Sequence, residues 1–127
     1  LLALTLAAVV ALAARRADVR HLVLCGFAAV LAFVALGKVL SPQFMIWLAP
    51  FAAVCAAWRI WPPAALCAGA FALTLVEFPG RYFDLVHEDS ATIVVVAARN
   101  ALLLAALIAT VAALARSPRP AAAPRTG

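Results

Sequence analysis

Charge in this chain is confined almost entirely to short breaks between apolar runs, and that pattern limits the fold more than any other feature. No charged residue falls between Arg20 and Lys38, between Lys38 and Arg59, or between Arg59 and Glu77. The runs are built mainly of Ala, Leu and Val, with single polar residues at intervals. A segment of this kind inside a bilayer must satisfy its own backbone N–H and C=O groups, which a helix does and an open strand does not. Of the 127 residues, 69% are hydrophobic and 12% charged, with a mean hydropathy of +1.13; a soluble domain carries about 25% charged residues. The expected fold is all-α: a polytopic integral-membrane helical bundle of about five transmembrane helices.

The breaks predict helices over residues 1–14, 21–37, 41–58, 63–78 and 91–115, with a polar loop at 79–90. The first run, from Leu1 to Ala14, covers about 21 Å of a roughly 30 Å hydrocarbon core at 1.5 Å per residue. It carries no charged n-region of the kind a signal peptide needs. It therefore reads as the truncated end of a transmembrane helix, and the chain as the C-terminal part of a longer protein. Residues 1–115 form the transmembrane region. Residues 116–127, rich in Pro, Ala and Arg, read as a disordered basic tail.

The net charge of +5 is not a nucleic-acid signal, because the basic residues lie in inter-helix segments and the tail rather than on one interleaved face. It reads instead as topology. Arg15, Arg16 and Arg20 in the first loop, Arg59 after the third helix, and Arg116, Arg119 and Arg125 in the tail alternate correctly to share one side, which the excess of basic residues in cytoplasmic loops makes the cytoplasm. Lys38 and the acidic loop with Asp84, Glu88 and Asp89 then face outward. Trp58 and Trp61 fall at the inner interface, Tyr82 and Phe83 at the outer one.

Chemistry is most concentrated at Lys38, Ser41, Pro42 and Gln43, a polar break between two apolar helices. Ser followed by Pro is a good helix start, since Ser caps free N–H groups and Pro fits the first turn. The N-terminus of the third helix, the Lys38 charge and the Gln43 amide together suit the phosphate of a lipid carrier at the outer leaflet. An ordinary helix cap with a snorkelling Lys explains the same residues about equally well. Arg99, beside Asn100, lies about two turns into the fifth helix, where a cation normally faces protein, water or an anion. A structural pair with Glu77 is slightly favoured there; the functional alternative is a second phosphate-binding group. Asp84, His87, Glu88 and Asp89 match no metal spacing and read as a solvated loop, and Glu77 as a general base lacks a positioned partner. His21 reads as an interfacial helix-start residue. Cys25, Cys55 and Cys67, odd in number and matching no zinc pattern, read as small apolar helix residues. No metal or cofactor is expected.

The segment GKVLSPQFMIWLAPF, residues 37–51, resembles a motif near the C-terminal end of family 87 glycosyltransferases. These are polytopic membrane enzymes of the C-type fold, widespread in actinobacteria. Their Lys-x-x-Ser-Pro-Gln core, followed by an apolar run with Trp and Pro, is matched by Lys38, Ser41, Pro42, Gln43, Trp47 and Pro50. The resemblance implies a hexosyltransferase that moves a sugar, often mannose, from a polyprenyl-phosphate donor to a lipid or glycan acceptor on the extracytoplasmic face, with inversion. It also implies an acidic catalytic base in an early exterior loop, which is expected upstream of Leu1. On this reading the chain supplies the carrier-phosphate part of the site: Lys38 as the cation, Ser41 and Gln43 as donors, and Arg99 beside them. The competing readings are a small non-catalytic helical membrane subunit or anchor, and a transporter fragment with Lys38 and Arg99 along an anion path. Transport would call for further polar residues along the inward halves of the helices, and these are nearly absent.

Overall fold

Local chain chemistry sets where each helix starts and stops. The computed structural model describes residues 1–15, 18–37, 42–77 and 90–116. Among them are α1 (Leu2–Ala13), α2 (Val19–Leu36), a 3₁₀ segment (Pro42–Trp47), α3 (Ala49–Ala57), α4 (Trp61–Glu77) and α5 (Ser90–Arg116), with no strand. Lys38, Ser41, the expected polar loop at 79–89 and the tail beyond Arg116 lie outside the described residues.

Leu1 stands at the N-cap position of α1, where its apolar side chain makes no capping bond. The turn is held instead by the Leu1 carbonyl, which accepts from the Thr5 backbone N–H at 3.0 Å and from the Thr5 hydroxyl at 3.1 Å. Asp18 caps α2: its carboxylate accepts from the His21 backbone N–H at 3.2 Å, satisfying one of the orphan donors of the first turn. At the other end of α2 the Gly37 N–H donates to the Phe33 carbonyl at 3.0 Å. Gly is required there, because a Cβ at Gly37 would sit 2.6 Å from that same carbonyl oxygen.

The expected helix over 41–58 is interrupted. Pro50 has no N–H to donate to the Ile46 carbonyl and its ring would collide with it, so an α-helix cannot run through. The chain instead takes 3₁₀ geometry up to Trp47, turns at Leu48, and begins α3 at Ala49 with Pro50 in its first turn, where a missing N–H does no harm. The same tolerance lets α4 open on Trp61 with Pro62 and Pro63 behind it, two residues earlier than the apolar pattern predicts.

Between α3 and α4 the chain closes a Schellman turn: Ile60 N–H donates to Cys55 O at 2.8 Å and Arg59 N–H to Ala56 O at 2.9 Å. The turn requires a left-handed residue, and Arg59 occupies it at φ 60°. An L side chain there costs roughly 1–2 kcal/mol that glycine would not incur.

Four aromatic contacts set the 42–58 run antiparallel to α2. Arg20, at the start of α2, lies over the Trp58 ring at 5.7 Å. Phe27, mid-helix, stacks on Phe51 at 5.5 Å. Phe33, near the end, meets Phe44 and Trp47 at 6.1 and 6.2 Å. α1 packs on α2, and α5 packs on α2 and, most extensively, on α4. The buried face of α4 carries Pro63, Ala64, Cys67, Ala70 and Thr74; small residues of this kind allow close approach of helix backbones.

Large apolar side chains also lie on the surface of the described residues. Leu4 and Val10 on α1, Val19 and Phe33 on α2, Leu75 on α4, and Val94 and Ile108 on α5 are all exposed. Two helices are long and apolar enough to cross a membrane, through Val19–Leu36 and Ile93–Arg116; Leu2–Ala13, Gln43–Ala57 and Trp61–Val76 are shorter apolar helices.

Candidate functional site

Gln43 follows directly on the break that carries Lys38 and Ser41. It is exposed on the 3₁₀ segment, whose inner side is anchored by buried Met45 and Leu48. The outer side is held by a triad of rings: Phe44 and Trp47 lie 5.0 Å apart, and both reach Phe33 on α2. These rings hold the 3₁₀ segment that carries Gln43 against the end of α2. The 3₁₀ geometry also changes the expected helix N-terminus. Its hydrogen bonds are poorer and its run is one short segment, so its dipole is a weaker anion attractor than that of a full α-helix.

Arg99 is the most unusual side chain among the described residues. It is 2% exposed and belongs to the stripe Arg99, Leu103, Ala106, Leu107, Thr110 and Leu114, which is the buried face of α5. Spacings of three and four residues place this stripe against the neighbouring helices. A guanidinium there has been taken out of water, and such a group persists only where hydrogen bonds and charge partners hold it. One of its bonds runs from Nε to Oδ1 of Asn100 at 3.3 Å, which explains why these two polar residues stand side by side in an apolar helix. The expected Arg99–Glu77 pair lies outside the described side chains.

Gln43 and Arg99 share no hydrogen bond. The 3₁₀ segment packs on α2 and α3, whereas α5 packs on α4 and α2, so α2 is the element common to both. The catalytic carboxylate expected upstream of Leu1 has no counterpart at the start of the described chain. Leu1 is an aliphatic residue 85% exposed, and Leu2–Ala13 behind it holds no Asp or Glu, so α1 offers no general base.

No family model, curated protein or solved structure matches this chain. Among the described residues, the buried threonine hydroxyls are occupied with structure. Thr74 donates to Ala70 O and Thr110 to Ala106 O, both at 2.8 Å, which returns each hydroxyl to its own helix. Cys25, Cys55 and Cys67 are buried and free. Among the described residues no three His, Cys, Asp or Glu side chains converge as a metal site would need.

His21 is more than the interfacial residue its position suggests. It is buried, and its Nε2 lies 2.9 Å from the Leu12 carbonyl near the end of α1. A carbonyl only accepts, so Nε2 carries the proton and Nδ1 is the second ring nitrogen, buried without a hydrogen-bond partner. This bond ties the α1–α2 corner together. A lone His next to Arg20 gives no sequence signal for it, because its partner is a backbone oxygen. The Phe33–Phe44–Trp47 triad is equally invisible in the sequence, since its members come from two segments whose pairing depends on the break between them.

Proposed function

We propose that this chain is the donor-phosphate end of an integral-membrane hexosyltransferase that uses a polyprenyl-phosphate sugar, with mannose the favoured hexose, and serves a lipid or glycan acceptor outside the cytoplasm. The Lys38–Gln43 break carries this reading. It matches the Lys-x-x-Ser-Pro-Gln core of the family 87 enzymes that the sequence resembles, and it sits where α2 ends and an aromatic-anchored segment begins. Arg99 supports it as a second cation, held inside the bundle on a helix of membrane-spanning length. In this arrangement Lys38 neutralises the carrier phosphate, Ser41 and Gln43 donate to its oxygens, and Arg99 supplies a planar fork of donors suited to phosphate. The carboxylate base comes from another part of the enzyme, upstream of Leu1.

The bundle crosses the membrane several times, with the Arg20 and Arg59 end and the tail in the cytoplasm, and with Lys38 and residues 84–89 outside. The register of α2 against the 42–58 run supports this, since the basic ends of both segments meet at the Arg20–Trp58 contact.

The test is Lys38→Ala in the full-length enzyme, assayed with a photoactivatable polyprenyl-phosphate probe and with sugar transfer from native membranes. Labelling and transfer should both fall by about ten- to a hundredfold, the loss expected for one charged hydrogen bond. Undiminished labelling together with undiminished transfer would remove Lys38 from the donor-phosphate site.

A further inference from the structure

The end of α2 opposite Gly37 carries a concentration of charge that the transferase reading does not use. Two contacts assemble it. The His21–Leu12 bond at 2.9 Å brings the end of α1, with Arg15 just beyond it, against the start of α2. The Arg20 guanidinium over the Trp58 ring at 5.7 Å joins the start of α2 to the end of α3, and Arg59 follows Trp58 directly. Arg15, Arg20 and Arg59 are all exposed, and Trp61 beside them is 58% exposed. Asp18 is the acidic residue of this corner, and its carboxylate already accepts from the α2 backbone. Among the described residues no hydrogen bond or ion pair engages any of the three guanidiniums.

Two details point from this collar to a phosphate-bearing partner. A guanidinium lying over an indole is positioned by a contact that uses none of its N–H donors, so these stay available to a phosphate diester. Arg59, moreover, is held in a left-handed conformation that glycine would adopt without strain, and strain of this kind is retained where the side chain has work to do. The collar lies one α2 length, about 27 Å, from the Gly37 end of that helix, close to the thickness of a hydrocarbon core. Arginines and tryptophans at that depth meet headgroups.

We infer that Arg15, Arg20 and Arg59, with Trp58 and Trp61, form a docking surface for the headgroups of anionic phospholipids in the cytoplasmic leaflet. The inference rests on the membrane-spanning part of the proposed function and is independent of the sugar-transfer chemistry. The surface selects by charge: each guanidinium enriches anionic lipid beside it roughly fivefold.

The experiment uses the full chain in nanodiscs of phosphatidylcholine and phosphatidylglycerol, with Trp47→Phe so that fluorescence reports on Trp58 and Trp61. Brominated phosphatidylglycerol in plain phosphatidylcholine is compared with brominated phosphatidylcholine in plain phosphatidylglycerol, at equal mole fraction of the brominated lipid. The anionic quencher should be several-fold more effective. Arg59→Gly, which relieves the left-handed strain and raises the unfolding midpoint, should reduce that preference although the fold is intact. Adding Arg15→Gln and Arg20→Gln should abolish it. Equal quenching by the two lipids overturns the docking surface and leaves the membrane reading standing. Absence of quenching by either lipid overturns both, and an unchanged preference in the triple variant removes these arginines from the site.

Discussion

Arg99 and Lys38 are the two cations proposed for the carrier phosphate, and the burial of Arg99 makes its own demands on a substitution. Arg99 lies on the buried stripe of α5, where an apolar residue of similar length fills the volume but leaves the groups that hold the guanidinium without it, at about 3–5 kcal/mol where one of them is charged. If Arg99 is held for the phosphate, the folded fraction of Arg99→Met binds a polyprenyl-phosphate probe about ten- to a hundredfold more weakly than the parent. Arg99→Lys, which keeps the charge but loses the planar fork, should fall between the two. Binding measured beside thermal unfolding decides the matter. Loss of the fold in Arg99→Met, with the probe affinity of the surviving folded fraction unchanged, would assign Arg99 to structure alone. The importance of Arg99 is legible in the sequence, because a charge inside a long apolar helix stands out whatever it faces. Its bond to Asn100 is half-legible, as the two are neighbours. What else holds the guanidinium is not, because that depends on which turn of a neighbouring helix lies opposite, and an apolar sequence does not encode helix rotation strongly.

Helix positions are legible in the breaks, for a physical reason: where every helix is apolar on all sides, only the interruptions carry information. Asp18, Gly37, Pro50, Pro62 and Pro63 are among those interruptions, and each lies at a helix boundary. The exception is 41–58, where the apolar pattern predicts one continuous helix and Pro50 breaks the turn that precedes it. The resulting 3₁₀ segment makes Gly37 a control point. Its N–H closes α2 on the Phe33 carbonyl, and a methyl group there would lie 2.6 Å from that oxygen. The oxygen is backbone and cannot swing away, so Gly37→Ala must break the last hydrogen bond of α2 or shift the exit of the chain. A destabilisation of about 1–3 kcal/mol is expected, the usual cost of inserting a methyl group where there is no room. Because the Phe33 ring also anchors Phe44 and Trp47, the shift passes to the segment that carries Gln43. Donor affinity should therefore fall along with the unfolding midpoint, even though Gly37 has no side chain to contact the donor. A Gly37→Ala protein with parent-like stability and affinity would show that the α2 exit is not a positioning element.

At the scale of the whole molecule, the proposed topology turns on which end of α2 faces the cytoplasm, and the structure supplies a way to test it. Gln43 and Arg59 are both exposed, and the aromatic register puts them at opposite ends of α2, Gln43 beside the Phe33 cluster and Arg59 beside the Arg20–Trp58 contact. The three native cysteines are buried, so they form a quiet background for a thiol reagent that needs surface access. The excess of arginine at the Arg59 end predicts that this end stays inside the cell. A membrane-impermeant maleimide should therefore modify Gln43→Cys in intact cells, and should modify Arg59→Cys only after the membrane is opened. Removing the cation in Arg59→Cys leaves Arg15 and Arg20 at the same end, so the orientation should survive the probe. The opposite labelling pattern would invert the topology and put Lys38 in the cytoplasm, where an extracytoplasmic sugar donor could not reach it. Labelling of both positions in intact cells would mean that the 42–58 run does not cross the bilayer. The donor-phosphate assignment and the anionic-lipid collar depend on the same orientation from opposite faces, so this one labelling experiment constrains both.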